Sequence, residues 1–418
     1  MSDHFRHEKL KKQHKLYQIL RLIAIRDKLI SMEIRQISYF ENFKCSEGEC
    51  SETCCRGWLI PLDDDDVARY KDEKSFLLKT RLMLAMSEHS VPVFNSSCGE
   101  CTFHGKNGLC SLQLARGHEF IPETCRSYPR FYRNYGDFEE RYLDLSCLEA
   151  SRMLVAHADD PELDITEGPE DCEKTMTNDD TAFLNTLVSI RASFIDALKK
   201  VQTYDELITV LDAVDSYSAD LQNAYLHGDE GYCAAHPFGV EVSGVPDVSG
   251  APVSSDNTRH IFPLSAAEID SLAHTSLYHD RLKKTNPGLY GLFQLYFRKY
   301  YRDVASENRW REACRELTET YPETVRYLRA YYIYYLYQYW LKTYEDYSFL
   351  RNERTGIIHT SMLLLMTVMY VKKHGSLSPE EFAHICTVYN RRAFFSDDML
   401  DEMYRVLDNR NMIPYTPE

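Results

Sequence analysis

The second half of the chain is dominated by helical periodicity. Apolar side chains recur there every three or four positions, as in TAFLNTLVSIRASFIDALKKV, where Leu184, Leu187 and Leu198 share one face. Further segments with this pattern are 204–227, 265–282, 287–302, 308–318, 322–347, 356–372, 378–390 and 396–408. Ser378 and Ser396 are candidate N-caps for the last two of them. Strand-like alternation is scarce, so we predict a mainly α protein.

The first half is far less regular. Residues 5–30 carry apolar side chains at helical spacing, whereas residues 91–135 are loop-rich because Gly and Pro interrupt every apolar run. Between these segments, the run from Asp63 to Asp66 predicts the capped first turn of a helix. Consecutive Asp side chains fan around a helix, so we favour this cap over a hard-cation site.

A strongly acidic stretch divides the two halves. Residues 159–180 hold ten carboxylates against one lysine, a composition too polar to bury much surface. We therefore interpret 158–180 as a linker between a loop-rich cysteine domain and an all-helical domain. The predicted parts are 1–31, 32–157, 158–180 and 181–418, with a long loop at 228–262. Met32 is a natural beginning for the cysteine domain, so residues 1–31 are interpreted as a basic helical extension or a start-site artefact.

Charge and composition exclude several classes of protein. The chain has 48 Lys and Arg against 64 Asp and Glu, a net charge of −16, which argues against nucleic-acid binding. It has no run of eighteen apolar residues, so no transmembrane segment is predicted, although the basic N-terminal helix leaves peripheral membrane contact open. No secretory signal is recognisable. We therefore predict a cytoplasmic protein, in which clustered cysteines more often bind metal than form disulfides.

Cysteines are concentrated in one quarter of the chain. Nine of the thirteen lie between residues 45 and 147, and the first four have the spacing C-x4-C-x3-C-C. This differs from paired zinc knuckles and from the C-x3-C-x2-C triad of radical S-adenosylmethionine (SAM) enzymes. Two interpretations remain: one iron–sulfur cluster with additional structural cysteines, or two metal centres that share eight or nine ligands. The adjacent Cys54 and Cys55 either serve different centres or include one non-ligand.

Other side chains near the cysteines have two interpretations each. Arg126 and Arg130 would offset the negative charge of a thiolate cluster, or would pair with the acids at 139–140. His104 and His118 could replace a cysteine ligand, but we favour solvent-facing loop histidines.

A tyrosine-rich segment follows in the helical half. Eight tyrosines lie between Tyr331 and Tyr347, with Trp340 among them. An aromatic stripe at helical spacing is usually part of a core, and we favour this over a binding wall for a cationic ligand or an adenine.

Four blocks of sequence resemble the flagellin lysine-N-methylase family. They are F-x-C-x4-C-x3-C-C-x-G-W from Phe43, C-x-F-x6-C-x-L-Q from Cys101, P-x-x-C-R-x-Y-P-R from Pro122 and L-S-C-x-E-A from Leu145. The first two blocks also resemble a wider set of zinc- or iron-chelating domains. The ordered resemblance extends from about residue 32 to residue 155, and Cys98 is additional to the pattern.

The resemblance implies an enzyme that methylates lysine side chains of flagellin, with SAM as methyl donor and an iron–sulfur cluster, expected to be 4Fe–4S, with zinc as the alternative. The metal-binding positions that it implies are Cys45, Cys50, Cys54, Cys55, Cys101, Cys110, Cys125 and Cys147. It does not indicate which of them hold the cluster, and the oligomeric state stays open.

The site for SAM and the catalytic residues are not identifiable from the sequence. No glycine-rich strand–turn–helix motif is present, and GLYGL at 288–292 is too short to count as one. Trp58, Tyr128 and the tyrosine-rich segment are candidate pocket walls. The alternative hypothesis is a non-catalytic zinc- or iron-binding protein that recognises a partner. A redox-sensing switch is a third hypothesis, which no feature of the sequence requires.

Overall fold

The computed structural model describes residues 32–57, 59–89, 91–97, 99–168, 181–229, 232–240, 260–278, 283, 287–300 and 304–393. The predictions for residues 1–31, for a helix at 396–408 and for much of the loop at 228–262 therefore lie outside the described residues, as do those for Trp58 and Cys98.

Helices make up nearly all of the described second half, which confirms the mainly α prediction. They are α6 (Thr181–Lys199), α7 (Tyr204–Leu226), α8 (Tyr232–Ala235), α9 (Ala266–Tyr278), α10 (Pro287–Tyr300), α11 (Val304–Thr320), α12 (Glu323–Tyr339), α13 (Thr343–Asp346), α14 (Phe349–His374) and α15 (Pro379–Ala393). The cap predicted at Ser378 is confirmed, since its Oγ accepts the backbone N–H of Glu381 at 3.2 Å.

The tyrosine-rich helix α12 lies in the core of the helical half. Tyr331, Tyr332 and Tyr334 are almost fully buried, which confirms the core interpretation. Their hydroxyl groups remain bonded inside the protein: Tyr332 donates to Glu353 Oε1 at 2.5 Å and Tyr334 to the Leu143 carbonyl at 2.8 Å. A buried phenol needs such partners, because an unpaired hydroxyl in an apolar interior is costly.

Helix α14 is the longest helix described. By length and composition it could cross a membrane, but 78% of its most apolar window is buried inside the protein. Its buried face also carries Glu353, Arg354 and His359. These features are those of a core helix in a helical bundle.

Short elements carry the cysteines in the first half. The helices are α1 (Asp64–Lys71), α2 (Phe76–Ala85), α3 (Ser111–Arg116), α4 (Glu123–Ser127) and α5 (Leu148–Ala156). The strands are β1 (Glu33–Ile37), β2 (Ile60–Pro61), β3 (Met86–Glu88), β4 (Pro92–Phe94), β5 (Ser96–Ser97), β6 (Glu100–Cys101), β7 (Arg130–Asn134), β8 (Phe138–Leu143) and β9 (Leu163–Glu167). They form sheets in the orders β2-β4-β3, β5-β6 and β7-β8-β1-β9.

The chain divides into two compact units that differ from the predicted domains. One unit comprises the described residues of 32–38, 132–141 and 163–168, and it is built on the β7-β8-β1-β9 sheet. In that sheet β1 pairs with β8 in parallel and with β9 antiparallel. Strand β9 lies within the segment predicted as a linker. Its sequence LDITE pairs with β1 through the backbone while its side chains stay mostly exposed, so its composition resembles that of a linker.

The second unit comprises residues 39–131 and 142–162 together with the helical half. The segments that carry the predicted metal ligands thus belong to the same unit as the helices, and α5 packs against α15 within it. The prediction placed these parts in separate domains because the sequence pattern changes abruptly between them.

Candidate metal centre

A short antiparallel pairing brings Cys55 and Cys101 together. The backbone N–H of Cys101 donates to the Cys55 carbonyl at 2.8 Å, and Gly57 N–H donates to the Gly99 carbonyl at 2.8 Å. Arg56, between these pairs, forms an ion pair with Glu100 at 2.7 Å. The C-C-R-G segment and strand β6 are therefore neighbours although more than forty residues separate them in sequence.

A tight hairpin adds Cys110. Gly105 N–H donates to the Leu109 carbonyl and Ser111 N–H to the Phe103 carbonyl, both at 2.8 Å. Gly108 closes this turn with φ +78°, and a Cβ there would stand 2.7 Å from the carbonyl oxygen of Gly48. A glycine is required here because of both the left-handed backbone and the close approach.

Helix α4 adds Cys125. Asp66, which is buried at the start of α1, accepts the backbone N–H of Glu123 at 3.1 Å through Oδ2. The hydroxyl of Thr124 donates to the Pro61 carbonyl at 3.2 Å. These bonds fix the beginning of α4 against α1 and β2, so Cys125 is held against the same apolar cluster as the cysteines above.

Four cysteines thus surround one small hydrophobic core, and we call them the first cysteine set. Cys101 is part of that core, while Cys55, Cys110 and Cys125 pack against it. Burial raises the pKa of Cys101 to about 11 and raises the pKa values of Cys110 and Cys125. The hydrogen bond with the Cys54 thiol lowers the pKa of Cys55 to about 6. One thiolate is therefore favoured among otherwise neutral thiols.

A second cysteine set consists of Cys45, Cys50 and Cys147. Burial raises the pKa of Cys147 to about 11, and the neighbouring Cys50 and Cys45 raise it further. Cys45 is exposed, and its sulfur accepts the Glu47 N–H at 3.3 Å. Cys54 lies between the sets, because its thiol interacts with Cys55, Cys125 and Cys45. The adjacent pair Cys54 and Cys55 is therefore where the two sets meet.

Arg391, on the last described helix, donates hydrogen bonds to backbone carbonyls next to Cys147 and next to Cys54. Arg391 Nε donates to the Ser146 carbonyl at 2.8 Å, immediately before Cys147. Its Nη1 donates to the Thr53 carbonyl at 3.2 Å, immediately before Cys54, and its Nη2 donates to the Glu52 carbonyl. One guanidinium thus joins two cysteine segments that are more than ninety residues apart. His384, which lies seven residues before Arg391 on the same helix, also contacts this segment. Its Nε2 is 3.1 Å from a carboxylate oxygen of Glu52.

No local sequence pattern predicts this contact. Arg391 and His384 lie in an amphipathic helix more than 330 residues after Glu52, and exposed basic side chains are ordinary on such a helix. Only the packing of α15 on α5 brings them to the cysteines.

The described cysteines are all free thiols. Among the described residues, no three His, Cys, Asp or Glu side chains are close enough together to hold a single metal ion. A tetrahedral zinc site would need sulfurs about 3.8 Å apart. The cysteine thiols of the described residues lie in two sets, and neither set closes around a single ion.

The arginines near the cysteines have other partners than predicted. Arg126 pairs with Glu119 at 3.2 Å and also with Glu123, whereas Arg130 stacks on the Phe43 ring, its guanidinium carbon 5.0 Å from the centroid. Arg126 thus pairs with Glu119 and Glu123, seven and three residues before it, and not with the acids at 139–140 that one of the two interpretations named.

The two histidines differ from each other. His118 is exposed, as predicted, and its Nδ1 is 3.7 Å from Glu119. The His104 side chain is only 7% exposed, so the solvent-facing prediction is wrong for this residue.

Tyr128, a predicted pocket wall, lies beside the second cysteine set. Its hydroxyl group is hydrogen-bonded to Ser146 Oγ at 3.0 Å, next to Cys147.

Comparison with known proteins agrees with the family resemblance. The chain is 27% identical over 136 residues to a protein named Flagellar biosynthetic protein FliU from Salmonella muenchen, which covers 30% of this chain and 79% of that protein. It is equally similar to proteins named Lysine-N-methylase from Salmonella choleraesuis and Salmonella typhimurium, over 30% of this chain and 33% of each. The alignment thus spans about a third of those two methylases. No family model and no solved structure matches the chain.

Proposed function

We propose that this chain is a protein-lysine N-methyltransferase of the cytoplasm that acts on flagellin, takes its methyl group from SAM and holds a cysteine-ligated iron–sulfur cluster. The observation that carries the proposal is the alignment with proteins named Lysine-N-methylase and with a flagellar biosynthetic protein. This alignment, at 27% identity over 30% of the chain, supports the reaction class and the flagellar connection, whereas the cofactors are our inference from the cysteines.

The first cysteine set is the better candidate for the cluster. Its four thiols converge on one buried core, and four thiolates are the usual ligands of a 4Fe–4S cluster. The sulfurs around such a cluster stand farther apart than those around one zinc ion, which agrees with the lack of a single-ion site among the described residues. When bound, the cluster supplies iron whose potential depends on its ligands, hydrogen bonds and solvent exposure.

The protein must also supply a neutral amine. A lysine side chain has a pKa near 10.4, so only about one in 2,500 is unprotonated at pH 7. Removing that proton costs about 4.6 kcal/mol at neutral pH, which a general base or a desolvating pocket must offset. The acidic net charge of −16 favours the approach of lysine side chains. We assign no residue as the base.

The second candidate function is a non-catalytic metal-binding protein that recognises a partner. The observation in its favour is that the alignment covers only 33% of the two methylases, so a shared domain need not bring the activity with it.

Anaerobic purification followed by iron and sulfide analysis, and by calorimetry with SAM, separates the two candidates. The methyltransferase proposal predicts about four irons and four sulfides per cluster and saturable SAM binding. Stoichiometric zinc or iron without SAM binding would favour the non-catalytic protein instead.

A further inference from the structure

His104 has a buried nitrogen that the fold leaves unused. Its side chain is 7% exposed, and Nε2 has no hydrogen-bond partner among the described residues. The other ring nitrogen, Nδ1, faces Glu100 Oε2 at 3.4 Å. Glu100 is in turn held by Arg56 Nε at 2.7 Å. A buried acceptor without a partner is costly, so it needs an explanation.

The backbone places this imidazole inside the first cysteine set. His104 N–H donates to the Cys101 carbonyl at 3.0 Å, and His104 pairs with Cys110 across the hairpin. His104 also lies close enough to Cys55 to influence its thiol, after the stronger effect of the Cys54 hydrogen bond. Three cysteines of the set are therefore neighbours of His104.

The carboxylate determines the tautomer. A carboxylate can only accept, so the hydrogen bond with Glu100 requires a proton on Nδ1 and leaves the Nε2 lone pair free to bind. Histidines that ligate metals commonly donate their other ring N–H to a carboxylate in this way, which fixes the ring and raises its basicity. The chain Arg56–Glu100–His104 has this order.

We propose that His104 is a nitrogen ligand of the metal centre that the first cysteine set holds, with Glu100 as the partner that orients its ring. The inference rests on the proposed iron–sulfur cluster. A 4Fe–4S cluster takes four such ligands, so a nitrogen at one iron releases one thiol of the set.

The test is pulsed electron paramagnetic resonance of the anaerobically purified, reduced protein, produced with ¹⁴N- or ¹⁵N-labelled histidine. We expect a strongly coupled histidine nitrogen that changes with the isotope. His104→Cys, which offers sulfur in place of nitrogen, should keep the iron and lose the coupling. His104→Ala should lose at least half of the iron.

His118→Gln is the matched control, since His118 is an exposed histidine fourteen residues away and should leave coupling and iron unchanged. Glu100→Gln should weaken the coupling without abolishing it, which a purely structural role of His104 would not produce. An iron–sulfur signal without histidine coupling in the labelled wild-type protein would overturn the ligand role alone. Absence of iron and sulfide would overturn the cluster proposal, and the ligand role with it.

Discussion

At the residue scale, a buried carboxyl group in the helical bundle determines one part of the pH dependence. Glu353 is 1% exposed and accepts the Tyr332 hydroxyl at 2.5 Å. Asp215, from the neighbouring α7, is held by both Nε and Nη2 of Arg354 at 2.5 and 3.0 Å. Burial raises the pKa of Glu353 well above its usual value, and the charge of Asp215 raises it further. Glu353 therefore keeps its proton to a higher pH in the folded state than in the unfolded chain.

We predict that Glu353→Gln stabilises the protein above pH 5. Between the unfolded pKa near 4.3 and the raised folded pKa, the unfolded state ionises and the folded state does not, so the wild type loses up to about 1.4 kcal/mol per pH unit. Glutamine keeps an oxygen for Tyr332 and an N–H for Asp215 but cannot ionise. Thermal unfolding should show a gain at pH 8 that disappears at pH 4. A gain of equal size at both pH values would contradict the raised pKa.

Prediction from sequence at this scale depended on residue type. The cap formed by Asp63 and Asp66 was predicted because these residues precede an apolar-periodic segment. The metal-binding role of the eight cysteines, inferred from the family resemblance, stays a prediction. The burial of His104 and the contact of Arg391 with Glu52 depend on tertiary packing, which leaves no mark in the local pattern.

At the element scale, one aspartate joins two helices. Asp63 and Asp66 form a reciprocal capping box at the start of α1. Asp66 also accepts the Glu123 N–H at the start of α4, the helix that carries Cys125. The beginning of α4 thus depends on a side chain of α1.

We predict that Asp66→Ala costs about 2–3 kcal/mol of stability, because it removes the reciprocal bond of the capping box to the Asp63 N–H and leaves the Glu123 N–H unpaired. It should also lower the iron content, since Cys125 is no longer held in place. Asp63→Ala is the control: it removes only the cap, at about 1 kcal/mol, and should leave iron unchanged. Urea titration and iron analysis measure the two effects, and equal iron in both variants would argue against this role of Asp66.

Helix α15 has a comparable role for the second cysteine set. We predict that Arg391→Ala destabilises the protein by about 1–3 kcal/mol, because buried carbonyls lose their donor. Hydrogen exchange should rise in residues 50–55 and 145–148. Arg391→Lys keeps the positive charge but loses the planar guanidinium group with its several N–H donors. It should therefore recover only part of the protection against hydrogen exchange.

The matched control for Arg391 is Arg152→Ala, which removes the more exposed ion pair of α5 with Glu380 on α15. It should cost less than about 1 kcal/mol. If both substitutions raised exchange in the cysteine segments equally, general loosening of α15 would explain the result better than the Arg391 bonds.

Helices and strands were predicted from the sequence where their hydrophobic pattern repeats often enough to be recognised. Long amphipathic helices such as α7 and α14 repeat their pattern over several turns, so their existence was clear. Strands of two to six residues repeat too few times to be recognised, and β9 in addition exposes most of its side chains. The four-stranded sheet was missed for this reason.

At the scale of the whole molecule, the cysteine segments and the helical half form parts of one compact unit. The sequence suggested separate domains because composition and periodicity change near residue 158. Contacts such as Arg391 with Ser146 and Tyr334 with Leu143 cross that boundary and were not predictable from it. We therefore expect the isolated segment 32–157 to be less stable than the full chain.

The most direct test of the proposed function is methyl transfer itself. The anaerobically purified full chain is incubated with flagellin and isotopically labelled SAM, and the flagellin peptides are analysed by mass spectrometry. We predict labelled methyl groups on lysine side chains, lost in a Cys101→Ser, Cys125→Ser double variant. Unmodified flagellin, after incubation with protein that contains iron and sulfide and binds SAM, would contradict the proposal.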